Sequence, residues 1–303
     1  MSSVSWIVTT TPQVSGLVGM AKDAGLPVEA VVVGERATAE AVAASGVDTV
    51  RWVELGDSTP AEAASTLVAD LAESEQPRLV LGGTSSEVKA LLGAVAARTG
   101  AELLPAVASV EAEDAGLRIT RALFGGIAES NEVWSSPVVA LADAGSAVQP
   151  SGEAAQITAV EGETLPITGV ERAVAPQEHV DLGAAKRIVA VGRGVKARED
   201  LALAQELADA LGAEVACSRP LAEGVDWFAK DRYVGVSGAH VAPELYIALG
   251  ISGQLQHMSG MKGAHTVVAV NTDKDAPVFT QSDFGVVGDL YQVVPALTAA
   301  LKG

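Results

Sequence analysis

The chain has 303 residues and a formal net charge of −18, from 20 basic against 38 acidic residues, and it is 49% hydrophobic with only 4% aromatic side chains. That length suits two domains, each with its own core, and the acidity excludes the cationic surface that binding to nucleic-acid phosphates requires. Acidity of this kind serves solubility first; docking on a basic patch of another protein is a second reading.

Glu87, Lys89, Arg98, Asp143 and Glu244 interrupt the most apolar segments, so none reaches the length of a membrane span. The opening "MSSVSWIVTTTPQ" has no basic residue ahead of its apolar stretch and does not read as a secretory signal, so a soluble cytoplasmic protein is expected. Cys217 is the single cysteine, which excludes an internal disulfide and a cysteine-based metal cluster. The four histidines, at 179, 240, 257 and 265, show no metal-site spacing, so no metal is expected.

From the start, apolar strands are predicted at 5–10, 29–34, 49–55, 78–83 and 136–142, with helices at 14–24, 37–44, 60–73 and 86–99 between the first four and after them. The third helix is expected to open with Thr59 as cap and Pro60 at the first helical position. Such alternation argues for a mostly parallel sheet covered on both faces. "GGTSSE", residues 82–87, has glycines and hydroxyls between a strand and a helix but lacks the Walker lysine, so a tight turn with a serine cap competes with a phosphate loop there. Residues 102–180 turn strand-like and glycine-rich, and 166–184, with proline, glycine and charge but no clear period, is predicted to be a linker.

Beyond it, strands are predicted at 187–192, 213–218, 232–237, 265–271 and 277–281, and helices at 199–211, 242–250 and 288–301. This gives an α/β protein of two domains, 1–180 and 185–303, each built on a mostly parallel, doubly wound sheet, the second Rossmann-like. In such sheets a ligand lies outside the carboxyl ends of the strands. Those ends carry Gly192-Arg193-Gly194, Ser218-Arg219, Gly235 to Gly238 and Asn271, with Asp289 opening the last helix, which points to an anionic ligand. "GRGVKA" fits the dinucleotide form G-x-G-x-x-A. A plain NAD site calls for an acid after the next strand to hold the ribose, where this chain has Ser218 and Arg219.

The text from 187 to the end, "GRGVK", "SRP", "VGVSG", "VAPELYIALGISGQLQHMSGMKG", "VVAVNTDKDAPVF" and "DFGVVGDLYQVVPAL", resembles the alpha subunit of electron transfer flavoprotein, the FixB family; over 1–180 the match rests on the alternation of elements and the domain order. The resemblance implies FAD held mainly by the second domain, with the first packing against a beta subunit in a heterodimer. By position, Arg193 would lie by the phosphate or ring edge, and Ser218 with Arg219 would contact FAD, the arginine near the flavin ring. Val234, Gly235 and Val236 lead to Ser237, which stands where the family places a donor to flavin N5. Ser252, Gly253, Gln254, Leu255, Gln256 and His257 match the flavin loop, His257 at the C2 carbonyl. Asn271, Asp289 and Leu290 match the residues that hold the adenosine portion. The chain departs from the family at Val236, where Gln is common, at Tyr233, and in "RPLAEGVDW", about one residue longer than expected before Trp227.

Reduction of a flavin places negative charge over N1 and the C2 carbonyl, so a histidine or arginine there raises the potential. The implied function is electron carriage without bond chemistry, hence no catalytic residues: electrons from flavin dehydrogenases, such as the acyl-CoA dehydrogenases of fatty acid beta-oxidation, pass toward electron transfer flavoprotein quinone oxidoreductase at a membrane. A flavin-bifurcating subunit oxidising NADH is the alternative, and an NAD-dependent oxidoreductase a further one, disfavoured by Arg219.

Overall fold

Short runs rich in Val, Ile, Leu and Ala, too short to bury a helix, build the central strands of the sheets. In the computed structural model, which describes residues 4–56, 58–148, 153–169 and 180–302, the chain divides into two compact units, Met1–Val174 and Ala175–Gly303.

The first unit runs β1 (Ser5–Thr9), α1 (Ser15–Asp23), β2 (Val28–Gly34), α2 (Arg36–Ala43), β3 (Thr49–Glu54), α3 (Ser65–Glu75), β4 (Leu79–Gly82), α4 (Ser86–Thr99), β5 (Glu102–Glu113), β6 (Gly116–Leu123), β7 (Ala128–Trp134), β8 (Val138–Ala142) and β9 (Gln156–Ala159). The sheet order is β7-β6-β5-β8-β4-β1-β2-β3-β9. Only the β5–β6 and β6–β7 pairings are antiparallel. Side chains alternate between two cores, as a central strand requires. Ile7, Val32 and Leu81 face Leu17 and Val42 of α1 and α2. Trp6, Val33 and Val80 face Val68 and Leu91 of α3 and α4.

The strands and helices predicted here stand within a few residues of their expected positions, with one correction. Pro60 is extended, at φ −70 and ψ 153, and Thr59 supplies no cap; a short 3-10 turn, Ala61–Ala64, precedes α3 instead. In "GGTSSE" the hydroxyl of Ser85 accepts from Val88 N–H as the cap of α4, which is the tight-turn reading. Most of the predicted linker, residues 170–179, lies outside the described residues.

The second unit runs β10 (Arg187–Val191), α5 (Leu201–Leu211), β11 (Glu214–Cys217), α6 (Arg219–Glu223), β12 (Leu245–Leu249), α7 (Leu255–Met258), β13 (Thr266–Asn271), β14 (Phe284–Val287) and α8 (Leu290–Lys302). All neighbours in its five-stranded sheet, β11-β10-β12-β13-β14, are parallel. Val189, Ile247 and Val270 face α5 and α8, while Ile188, Tyr246 and Ala269 face the opposite layer with Met258 and Met261.

Three expectations are corrected in this unit. Residues 242–250 are not a helix: Leu245–Leu249 is a strand, paired with β10 and β13 on its two edges. Five apolar residues between Pro243 and Gly250 have no helical period to read, and pairing on both sides satisfies every backbone group. Residues 232–237 are not a ladder strand but a turn with isolated bridges at Tyr233 and Val234. Pro277–Gln281 is a 3-10 helix, since Pro277 lacks the N–H a strand interior needs, and the edge strand is Phe284–Val287.

Candidate functional site

Numbered within its own sheet, the second unit has strand order 2-1-3-4-5, so the connections leaving β10 and β12 run to opposite sides. The crevice between those two strand ends is where such folds bind ligands. A cavity of about 1300 Å³ opens there, and every lining residue belongs to the second unit. Drug-sized sites span roughly 300–1,000 Å³, so this space suits something as large as a dinucleotide.

The two loops at the switch point meet backbone to backbone. Gly194 N–H donates to Gly250 O at 3.1 Å, and Gly192 N–H donates to Leu249 O at 2.8 Å. A Cβ on Gly250, whose φ is +62, would lie 2.6 Å from Gly194 Cα. The glycines of "GRG" are therefore needed for loop contact, and this shapes the floor together with buried Leu290. Arg193, between those glycines, lines the cavity, and its guanidinium has no carboxylate partner among the described residues. Ser218 and Arg219 stand at the start of α6. Arg219 pairs with Glu223 one turn on, and its side chain is 65% exposed.

Val234 to Ser237 form the turn seen in place of the predicted strand. Val234 N–H donates to Cys217 O at 3.0 Å, and Val236 N–H donates to Gln256 O at 2.8 Å, tying the turn to α7. Val236 and Leu255 are exposed apolar side chains on the cavity wall. Ser252, Gln254 and Gln256 line the space with them. Gly253 has φ +84 and faces Val278, where a Cβ would lie 2.1 Å from the Val278 nitrogen. The 3-10 segment thus backs the loop, with Val278 N–H donating to Ser252 O at 3.1 Å.

His257 is 7% exposed. Its Nε2 lies 2.9 Å from the Tyr246 hydroxyl. Its Nδ1 is buried without a hydrogen-bond partner of ordinary geometry. Burial lowers the imidazole pKa to about 4, against a smaller opposing effect of the Val234 backbone. The ring is therefore neutral near pH 7 and acts as a dipole, which leaves Arg219, rather than a charged His257, as the positive charge on this part of the cavity wall.

Asn271 serves the scaffold first: its Nδ2 donates to Ile251 O at 2.9 Å and its Oδ1 accepts from Asp273 N–H at 2.9 Å. Asp289 accepts from Tyr291 N–H at 3.0 Å at the start of α8. The cavity thus brings together all the predicted residues except Gly253, which supports the loop from behind. The sequence reading missed Lys196 and Tyr291, which also line it. Lys196 shares the "GRGVK" turn and was within reach of that motif. Nothing local marks Tyr291.

Three cationic side chains, Arg193, Lys196 and Arg219, line one cavity in a chain of net charge −18. With the serine hydroxyls and the apolar wall they fit a ligand that has both a phosphate part and a flat ring. Among the described residues no group of side chains is arranged to hold a metal, and no helix is long and apolar enough to cross a membrane.

Family models match both units: the electron transfer flavoprotein domain over residues 17–168 and the electron transfer flavoprotein FAD-binding domain over 181–262. The chain is 36% identical over 306 aligned positions to Protein FixB of Salmonella typhimurium (strain LT2), covering 98% of this chain and 97% of that one. It is 38% identical over 244 positions to the putative electron transfer flavoprotein subunit YdiR of Escherichia coli (strain K12), covering 78% and 77%.

Proposed function

Because the chain belongs to the alpha-subunit family of electron transfer flavoproteins, we propose that it works in the cytoplasm as the FAD-carrying half of a heterodimer with a beta subunit. There it accepts electrons from flavin dehydrogenases such as acyl-CoA dehydrogenases and delivers them toward a membrane quinone oxidoreductase. The chain is an electron carrier with an FAD-binding second domain. The observation that carries the reading is the cavity at the 2-1-3-4-5 switch point, with its three cations and its hydroxyl-lined, partly apolar wall.

FAD, when bound, supplies reversible uptake and release of electrons at its ring. Arg193 holds the phosphate or ring edge through charge-assisted hydrogen bonds. Ser218, Ser237 and Ser252 offer hydroxyls to the polar edges of the ring, and Gln254 and Gln256 border the same loop. Arg219 would set a permanent positive charge beside the flavin ring, which gains negative charge when reduced, and neutral His257 would present a dipole to it. Val236 and Leu255 would lend the ring face apolar cover against water. Asn271, Asp289 and Leu290 bound the adenosine end.

The test is the visible absorption spectrum of the chain co-purified with its beta partner. One FAD per heterodimer supports a simple carrier. Two flavins per heterodimer point to the bifurcating alternative, and a colourless complex that binds NADH would overturn the reading.

A further inference from the structure

We infer that Lys196 is a phosphate-binding residue of this cavity and that Tyr291 is the residue that positions it. Tyr291 holds Lys196 at both ends. The Tyr291 hydroxyl accepts from the main-chain N–H of Lys196 at 2.9 Å, and the Lys196 ammonium lies 5.3 Å from the centroid of the Tyr291 ring. The same hydroxyl donates to the Asp200 carboxylate at 2.6 Å. That carboxylate also accepts from Ala197 N–H at 3.2 Å.

The arrangement leaves the ammonium available. Asp200 is occupied by the phenol and the Ala197 amide, and Asp289 accepts the Tyr291 amide. Among the described residues Lys196 has no ion pair, and both it and Tyr291 face the cavity. A lysine on a flexible stem loses rotamer freedom when it binds an anion. Stacking on the ring removes part of that cost beforehand, while the ammonium stays exposed and open to an incoming anion. Lys196 follows Arg193 in one turn, so the two cations present a pair of positive charges to a diphosphate. The chemistry they select is the pyrophosphate of a dinucleotide, and the assignment rests on the FAD reading above.

The experiment measures binding of FAD and of riboflavin, which has no phosphate, to the deflavinated heterodimer by flavin fluorescence at low and high salt. Lys196→Met is expected to weaken FAD about tenfold, the scale of one charge-assisted contact, to leave riboflavin unchanged and to flatten the salt dependence. Tyr291→Phe keeps the ring and loses the hydroxyl, so it is expected to weaken FAD less than Lys196→Met. Tyr291→Leu loses both and should approach it. FAD affinity of Lys196→Met indistinguishable from wild type, or equal losses for FAD and riboflavin, would overturn the assignment while leaving the flavin reading intact. Failure of the wild-type heterodimer to take up FAD would remove both.

Discussion

The hydroxyl of Tyr246 lies 2.9 Å from Nε2 of His257, with both side chains in the interior of the second unit. Burial raises the phenol pKa, so the phenol keeps its proton. That hydroxyl has no other acceptor among the described residues, so it donates to Nε2. A neutral imidazole then carries its one proton on Nδ1. Tyr246→Phe should leave Nε2 unsatisfied and destabilise the protein by about 1–2 kcal/mol. Nitrogen-15 NMR of labelled histidine reads the tautomer directly, and an unchanged spectrum in Tyr246→Phe would show that the phenol only fills space.

The same burial makes stability depend on pH. His257 has a folded pKa of about 4, below its ordinary value of 6.5, so the unfolded chain binds the proton more readily than the folded one. The stabilisation is complete above the ordinary value and is lost as pH falls toward the folded one. Between pH 7 and pH 5 this histidine should account for about 2 kcal/mol of lost stability. Urea denaturation of wild type and His257→Asn across that range checks it: the variant's curve should be flatter by that amount.

Arg219 is a permanent charge on the cavity wall, proposed to face the flavin ring, and its exposure and its pair with Glu223 weaken it. Arg219→Ala should lower the two-electron flavin potential by tens of millivolts, at roughly 30 mV per 1.4 kcal/mol. His257→Ala, which removes a dipole, should shift it less. Redox titration of the two heterodimers decides, and if neither variant alters potential or flavin retention, the placing of both residues at the ring is wrong.

Gly250→Ala should be among the most damaging single-methyl changes in the second unit. It sets a side chain at φ +62 and drives a Cβ to 2.6 Å from Gly194 Cα. About 1–3 kcal/mol of stability and most of the flavin affinity should go together, since the contact it breaks forms the cavity floor. Wild-type affinity in a correctly folded Gly250→Ala heterodimer would show that the loops tolerate separation.

Cys217 is wholly buried at the end of β11, and burial pushes its thiol pKa up to about 12. Thiol reagents at pH 8 should leave the folded protein unmodified and react at the rate at which the unit opens. Rapid labelling under native conditions would contradict this burial.

Much of this was legible in the chain because strands and glycines announce themselves. Buried runs such as Val28–Gly34 and Arg187–Val191 stand between turn residues, and the polar clusters fall at strand ends. What escaped depends on distance in sequence. Leu245–Leu249 has the composition of a short helix, and only its two neighbours in the sheet make it a strand. The partnership of Tyr291 with Lys196 spans ninety-five positions. The neutrality of His257 follows from packing around Tyr246, not from its own loop. Asn271 lines the cavity, and the bond by which its amide also closes the loop behind Ile251 has no local signal in the sequence.

Every residue lining the cavity falls between Arg193 and Tyr291. The groups that set the electrostatics of this lining therefore all come from the second unit. Substitutions anywhere in the first unit can therefore accumulate without replacing a single group of that lining.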